Sequence, residues 1–213
     1  MQNNKEILMF DDIYPKYTDN ILDYILLAAL LLIILIIFDG LLLLLGAVPS
    51  FLSQMFGSAV NTTPLSYLIN ILLHIISPLL LVILITSSKH VDKKGNDLLL
   101  DFSEGWDDLI SSKFIYTIIT AIIIASILAS IAGFLGAILY GIIIAIVVGM
   151  TMVKYTTKEN PHQFIEMFNS IYEKDNTSGI VLYLILLLEI IPGINIINFF
   201  LIPMGVLILK NKF

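Results

Sequence analysis

Residues 21–48 read ILDYILLAALLLIILIIFDGLLLLLGAV, and their only charged side chains are Asp23 and Asp39. An apolar stretch of this kind is typical of a membrane-crossing helix, because about 20 apolar residues span the hydrocarbon core. As a straight helix these residues would extend about 42 Å, against a core of about 30 Å. We therefore expect the helix either to tilt or to break at Asp39-Gly40.

The composition of the whole chain agrees with this stretch. Hydrophobic residues make up 58% of the 213 residues, and charged residues make up only 13%. A soluble domain of this size needs more charge on its surface, and the apolar runs lack the alternation of β-barrel strands. The sequence therefore predicts an all-α fold, with one integral membrane domain over residues 1–213 that forms a bundle of transmembrane helices in the cell membrane.

The basic residues indicate the orientation of this bundle. All eleven are lysines, and they lie in the polar segments 1–20, 87–113 and 154–178 and at the end of the chain. The linkers 49–64 and 133–136 carry no charge. Because lysine is retained on the cytoplasmic side of a membrane, we expect the polar segments and the N-terminus to lie in the cytoplasm.

The number of spans depends on the last apolar block. The first four predicted spans are residues 21–48, 65–86, 114–132 and 137–153. Residues 179–209 would make one helix of about 46 Å, which is too long, or two short helices separated at Pro192-Gly193. Two helices return Lys210 and Lys212 to the side of the other lysines. We therefore expect six spans with both termini inside, and five spans are the alternative.

A ladder of small residues at four-residue spacing runs through the third and fourth spans. Its members are Ala121, Ala125, Ala129, Gly133, Ala137, Gly141, Ala145 and Gly149. Residues four apart share one helix face, and small residues let two helix backbones approach closely. The ladder therefore predicts a tightly packed helical hairpin. A homodimer seam and a sliding transport interface are the alternatives.

Three ionisable residues within the predicted spans form a candidate site: Asp39, His74 and Glu189. The amides of Asn70, Asn195 and Asn198 accompany them. Because a carboxylate is costly in hydrocarbon, such residues commonly mark an ion pathway or a proton relay, and His74 could titrate near neutral pH. In the competing interpretation Asp39-Gly40 marks a bend, Glu189 lies beside a hairpin turn in contact with water, and His74 makes a packing hydrogen bond.

The inner segments predict two amphipathic helices at the membrane surface. In residues 87–113 the acids could gather as cation ligands, but an apolar face anchored by Trp106 favours an interfacial helix with solvated acids. These acids are Asp97, Asp101, Glu104, Asp107 and Asp108. A second helix is predicted after the N-cap Asn160, with apolar residues at helical spacing. His90 and His162 are predicted to be solvated.

Several function classes are excluded by what the sequence lacks. It contains no phosphate-binding glycine loop and no hydrolase or metalloprotease motif, so we expect no catalytic residues, no metal and no cofactor. The net charge of −6 disfavours binding to nucleic acid. Cysteine is absent, which excludes disulfides and thiolate chemistry. We expect that the protein is not an enzyme.

The stretch LDFSEGWDDLI, residues 100–110, enters the third span by way of Lys113. It resembles a motif of an uncharacterised family of multi-pass membrane proteins of archaea and bacteria, a domain of unknown function that is common in methanogens. Members of that family carry a similar acidic stretch before their middle spans, and their layout of hydrophobic hairpins is similar over most of the chain. The resemblance implies an archaeal multi-pass membrane protein and implies no activity.

Two functions fit these observations. The sequence favours a non-enzymatic membrane protein that acts through contacts with lipid or protein at the inner surface. Its partners would be the bilayer and a membrane-protein partner or a second copy of the chain. The alternative is a small proton- or cation-coupled transporter or channel-like protein that uses Asp39, His74 and Glu189. Pro192-Gly193 supports this alternative, because interrupted helices often build transport sites.

Overall fold

The computed structural model describes residues 10–56, 63–91, 98–157, 159–191 and 194–212. Every regular element in these ranges is a helix, so the all-α prediction is confirmed for the described residues. The helices are α1 (Phe10–Asp19), α2 (Ile21–Phe56), α3 (Thr63–Ser88), α4 (Leu98–Ser111), α5 (Phe114–Ile131), α6 (Gly133–Thr156), α7 (Phe164–Lys174), α8 (Asn176–Ile190) and α9 (Asn198–Lys212). Four of them are long and apolar enough to cross a membrane, namely α2, α3, α5 and α6.

Helix α2 runs unbroken from Ile21 to Phe56, so the expected alternative of a break at Asp39-Gly40 is wrong. An apolar surrounding offers no water to a freed backbone group, and the helix therefore keeps its internal hydrogen bonds even at a glycine. The helix also takes in residues 49–56 of the predicted linker. Residues 57–62 of that linker lie outside the described ranges.

The two halves of α2 differ in burial. Tyr24 and Leu31 in the first half are at most 1% exposed, whereas Leu41, Leu43 and Leu44 in the second half are 53–69% exposed. A large contiguous apolar surface is rare on soluble monomers. The second half of α2 is therefore suited to contact with lipid chains.

The core is one cluster to which most helices contribute. Its best-buried side chains include Leu84 of α3, Val148 of α6 and Val206 of α9, all 0% exposed. Phe168 of α7 and Leu182 of α8 are buried to the same extent. The core is therefore richest toward the C-terminal ends of α3, α6 and α9 and toward the N-terminal end of α8.

Lysines from distant parts of the chain meet at one end of the bundle. The Lys210 ammonium donates a hydrogen bond to the backbone carbonyl of Lys89, with an N···O distance of 3.0 Å. The Lys16 ammonium donates to the Asn211 side-chain oxygen, also at 3.0 Å. We call this end, defined by Lys16, Lys89 and Lys210, the lysine end. The opposite end, at the turn between α5 and α6, is the Gly133 end.

The last apolar block forms two helices that contact each other, α8 and α9. A 3₁₀ turn at Asn195–Ile197 precedes α9, and Pro192-Gly193 lies outside the described residues. Each helix has 15 residues, which corresponds to about 22 Å, shorter than a hydrocarbon core of about 30 Å. The block is therefore a hairpin whose second arm returns to the lysine end.

The turn between α5 and α6 is tight, as predicted, but it lies between Ile131 and Gly133 rather than over residues 133–136. Gly133 has a φ of 54°, which a residue with a side chain rarely adopts. At Gly136 an added Cβ would lie 2.9 Å from the carbonyl carbon of Leu128. Both glycines are therefore needed for the close return of the chain. Helix α6 begins at Gly133, four residues earlier than the predicted fourth span.

Helices α5 and α6 pack against each other as the predicted hairpin, but part of the small-residue ladder faces other helices. An added Cβ at Gly141 would lie 2.7 Å from the Ile190 Cα, and one at Gly149 would lie 2.5 Å from the Phe164 Cδ2. The second half of the ladder therefore packs α6 against α8 and α7. Between α5 and α6, the ladder residue Ala121 lines the same space as the bulkier Ile143 and Val147.

The two helices predicted at the membrane surface are present, but each buries one face against the protein. In α4, Leu109 is 1% exposed while Trp106 is 44% exposed. In α7, Phe168 and Ile171 are buried, whereas Ile165 and Tyr172 are exposed. Asn160 caps the turn before α7 as predicted, since its side chain accepts a hydrogen bond from the His162 N–H.

We expect Gly141→Ala to lower the free energy of unfolding by about 1–3 kcal/mol, because the new methyl group meets the α8 backbone and the helices must separate. Gly40→Ala is the matched control, since an added Cβ there meets nothing within 4 Å. It should be neutral or stabilising by up to about 1 kcal/mol, the helix propensity difference. Thermal unfolding in detergent measures both. Equal effects of the two substitutions would show that the close approach at Gly141 is unimportant.

Candidate functional site

A cavity of about 270 Å³ lies between α3, α6 and the hairpin of α8 and α9. Its walls combine polar and apolar side chains. The described residues that line it are Leu73, His74, Ser77, Ala137, Tyr140, Glu189 and Asn195. Pockets that hold drug-sized ligands occupy about 300–1,000 Å³. This cavity therefore suits a smaller molecule.

Glu189 is the acidic residue of the cavity, and it lies in the last turn of α8. It is 3% exposed. Its Oε1 accepts a hydrogen bond of 2.5 Å from the Asn198 side-chain amide, which also donates to the Ile185 carbonyl at 2.8 Å. Oε2 is buried and has no hydrogen-bond partner among the described residues. The carboxylate therefore has a free acceptor, which is uncommon for a buried polar group.

His74 and Tyr140 form the opposite wall through a contact that depends on Pro78. Proline has no N–H, so Pro78 cannot donate to the carbonyl of His74, four residues earlier in α3. The Tyr140 hydroxyl donates to this carbonyl instead, at 2.8 Å. The two rings also pack edge to face, with centroids 5.3 Å apart. The proline thus creates an acceptor, and Tyr140 of α6 satisfies it.

The cavity lies far from both ends of the bundle, as measured along the helices that line it. The backbone of Glu189 and Ile190 packs against Gly141, which lies eight residues after Gly133 and fifteen before Thr156. At 1.5 Å per residue, these separations correspond to about 12 Å and about 22 Å along α6. His74 lies fourteen residues before Ser88, or about 21 Å along α3. The polar groups therefore lie at the level of the apolar parts of the surrounding helices.

The structure brings together two of the three predicted site residues. His74 and Glu189 line the same cavity, with Asn195, and Asn198 holds Glu189. Asp39 is not among the described lining residues, although its Oδ1 is also buried without a described hydrogen-bond partner. The side chain of Asn70 lies outside the described residues.

Sequence reasoning missed Tyr140 and Ser77 as cavity residues. The sequence does contain a signal that the His74 carbonyl needs a donor from another helix. Pro78, four residues later, has no N–H to donate to it. Nothing in the sequence says that Tyr140 supplies this donor. Its assignment required the packing of α3 against α6.

A second polar cluster lies at the lysine end, and it contradicts the prediction that His90 is solvated. His90 is 7% exposed. Its Nδ1 lies 2.8 Å from a Glu104 oxygen, and its Nε2 lies 3.0 Å from an Asp108 oxygen. The Lys89 ammonium lies 2.9 Å from the same Asp108 oxygen. Glu104 and Asp108 of the acidic run keep 34% and 37% of their side-chain surface exposed, so they pair with His90 while staying partly solvated.

Close packing of α4 against the end of α3 creates this cluster. An added Cβ at Gly105 would lie 2.6 Å from the Ser87 backbone nitrogen, so Gly105 lets the two backbones touch. Glu104 and Asp108 are one helical turn apart and therefore share a face. Burial would raise the pKa of Asp108, but hydrogen bonds from Lys89 and His90, together with their charges, outweigh burial and lower it. His162 is exposed, as predicted.

The geometry does not identify a metal centre. Among the described residues, no three His, Asp or Glu side chains are placed to hold a metal ion together. In the cluster at the lysine end, the imidazole lies between the two carboxylates at ion-pair distances. The cluster therefore joins α3 and α4 rather than forming a set of ligands around a cation.

Comparisons with known proteins yield no match to this chain, whether among family models, curated proteins or solved structures. The resemblance of residues 100–110 to an uncharacterised membrane protein family therefore stays a prediction.

We expect Tyr140→Phe to lower the free energy of unfolding by about 1–3 kcal/mol, because it removes the hydroxyl that donates to the His74 carbonyl. Pro78→Ala restores an N–H in α3, so it should cost much less stability in the Tyr140→Phe background than in the wild type. Unfolding in detergent, followed by the fluorescence of the single tryptophan, measures this coupling.

The matched control for this experiment is Tyr116→Phe, because Tyr116 is 73% exposed. It should change the unfolding free energy by less than about 0.5 kcal/mol. Additive effects of Tyr140→Phe and Pro78→Ala would contradict the role assigned to the Tyr140 hydroxyl.

Proposed function

We propose that this chain is a non-enzymatic, multi-pass protein of the cell membrane that carries protons or small cations by way of the cavity at Glu189. The single observation that carries the proposal is the buried carboxylate of Glu189, whose Oε2 lacks a described hydrogen-bond partner. A buried charge without compensation is costly, and within membrane segments such residues usually mark ion or substrate pathways.

The topology belongs to the same proposal. The protein has six membrane segments, the four long helices and the two short arms α8 and α9, with both termini in the cytoplasm. The contacts of Lys210 with Lys89 and of Lys16 with Asn211 support this arrangement, because lysines collect on the cytoplasmic side. Because its arms are short, the hairpin that starts at the lysine end turns before it reaches the Gly133 end. Transport proteins often build their sites from helices that end within the membrane.

Contact with a partner at the inner surface is a second candidate function. Its supporting observation is the exposure of Trp106 and Ile110 on α4 and of Ile165 and Tyr172 on α7. Aromatic and aliphatic side chains of this kind anchor a protein to lipid headgroups or to another membrane protein, including a second copy of the chain. A protein that remains monomeric and free of partners in native-membrane crosslinking would rule out the protein-contact form of this function.

Proton flux into liposomes tests the first proposal. Protein is reconstituted into liposomes that contain a pH-sensitive dye, and a potassium diffusion potential drives proton entry. We expect the Glu189→Gln variant to lose at least about tenfold of the protein-dependent rate, because the intramembrane carboxylate carries the proton or pairs with the cation.

Asp39→Asn is the control for this assay, since Asp39 is an intramembrane carboxylate outside the cavity lining. It should keep the wild-type rate. Each variant must elute as the same monodisperse species as the wild type. The proposal would be refuted if the wild type gave the same proton flux as empty liposomes. It would also be refuted if Glu189→Gln left the flux unchanged.

A further inference from the structure

We propose that the cavity at Glu189 is a binding site for a small organic ammonium ion, a primary amine with a short aliphatic chain. The inference rests on the proposed function and names the class of cation that the cavity recognises. It follows from the charge, the hydrogen-bonding groups, the size and the walls of the cavity.

The charge of the lining favours a cation. Glu189 is the one carboxylate among the described lining residues, and no lysine accompanies it there. His74 is the only other ionisable group of that lining besides the Tyr140 phenol. The Tyr140 hydroxyl is already committed as a donor to the His74 carbonyl. An anionic ligand would meet the Glu189 carboxylate, and His74 is the only basic side chain of the described lining that could offset the repulsion of like charges in a buried site.

The hydrogen-bonding groups favour a ligand that has N–H donors. Glu189 Oε2 is a buried acceptor without a described partner, and the Asn198 side-chain oxygen behind it is in the same state. The lining adds the Ser77 hydroxyl and the Asn195 amide, each of which can accept a hydrogen bond. A primary ammonium has three donors, as the lysine side chain has. It can therefore satisfy the carboxylate and still donate to neighbouring oxygens.

The size and walls of the cavity distinguish an organic cation from a bare metal ion. Calcium takes six to eight oxygen ligands and magnesium six, whereas a single carboxylate lies in this lining. A cavity of about 270 Å³ also leaves room beyond one desolvated ion. Leu73 and Ala137 provide apolar wall for a short chain. The ring of Tyr140 offers a face that attracts cations.

Binding of propylammonium chloride to the purified protein in detergent tests this assignment by calorimetry at neutral pH. We expect propylammonium to bind at least about tenfold more tightly than 1-propanol, which has the same chain length without the charge, since a hydrogen bond to a charged group is worth about 1.5–3 kcal/mol. Tetramethylammonium, which lacks N–H donors, should bind at least about tenfold more weakly than propylammonium.

Two variants address the site, and one serves as the control. Glu189→Gln should weaken propylammonium binding at least about tenfold by removing the charge. Ala137→Leu keeps every polar group and fills the cavity, so it should weaken binding even if Glu189→Gln unfolds the protein. Asp39→Asn should leave the affinity unchanged. Gel filtration and the unfolding temperature identify any variant that does not fold.

The outcomes separate this inference from the proposed function. No propylammonium binding to the wild type, or equal binding of propionate, would overturn the ammonium site. Proton flux that still depends on Glu189 would then leave the transport proposal standing. Conversely, propylammonium binding that is lost in Glu189→Gln and Ala137→Leu would support the site even if liposomes showed no flux.

Discussion

The close approach of α6 and α8 at Gly141 is the contact on which the site depends. Because Gly141 has no side chain, the backbone at Glu189 and Ile190 lies directly against α6. This contact fixes the depth of Glu189 in the bundle. Asn198, the first residue of α9, then holds one oxygen of the carboxylate. A four-residue ladder that looks like a hairpin seam in the sequence thus positions a carboxylate in the structure.

The two ends of the bundle are built in different ways. At the lysine end, the contact of Lys210 with Lys89 and the carboxylates around His90 tie α9, α3 and α4 together over a well-packed core. Toward the Gly133 end, the second half of α2 is largely exposed, and the hairpin of α8 and α9 is too short to reach across a membrane. The cavity lies between these two regions. In the proposed function, the tied end is the stable frame.

The sequence was sufficient for the features that apolar length and glycine chemistry determine. The helices, the turn at Gly133 and the two arms of the last block follow from them. The sequence was insufficient for features that depend on which distant helices pack together. The alternative of a break at Asp39-Gly40 ignored the cost of a freed backbone group in an apolar medium. His90 is buried only because Gly105 brings α4 against the end of α3, and Asp39 lies outside the cavity lining because α2 packs elsewhere.

The central claim is that α8 and α9 form a hairpin that begins and ends on one side of the membrane, so that Glu189 lies near its turn within the membrane. Single cysteines at Ser111, Phe134 and Asn211 in the cysteine-free chain, labelled with a membrane-impermeant thiol reagent, test it directly. We predict that Ser111 and Asn211 are labelled from the same side and Phe134 from the other. Labelling of Asn211 from the side of Phe134 would contradict the hairpin.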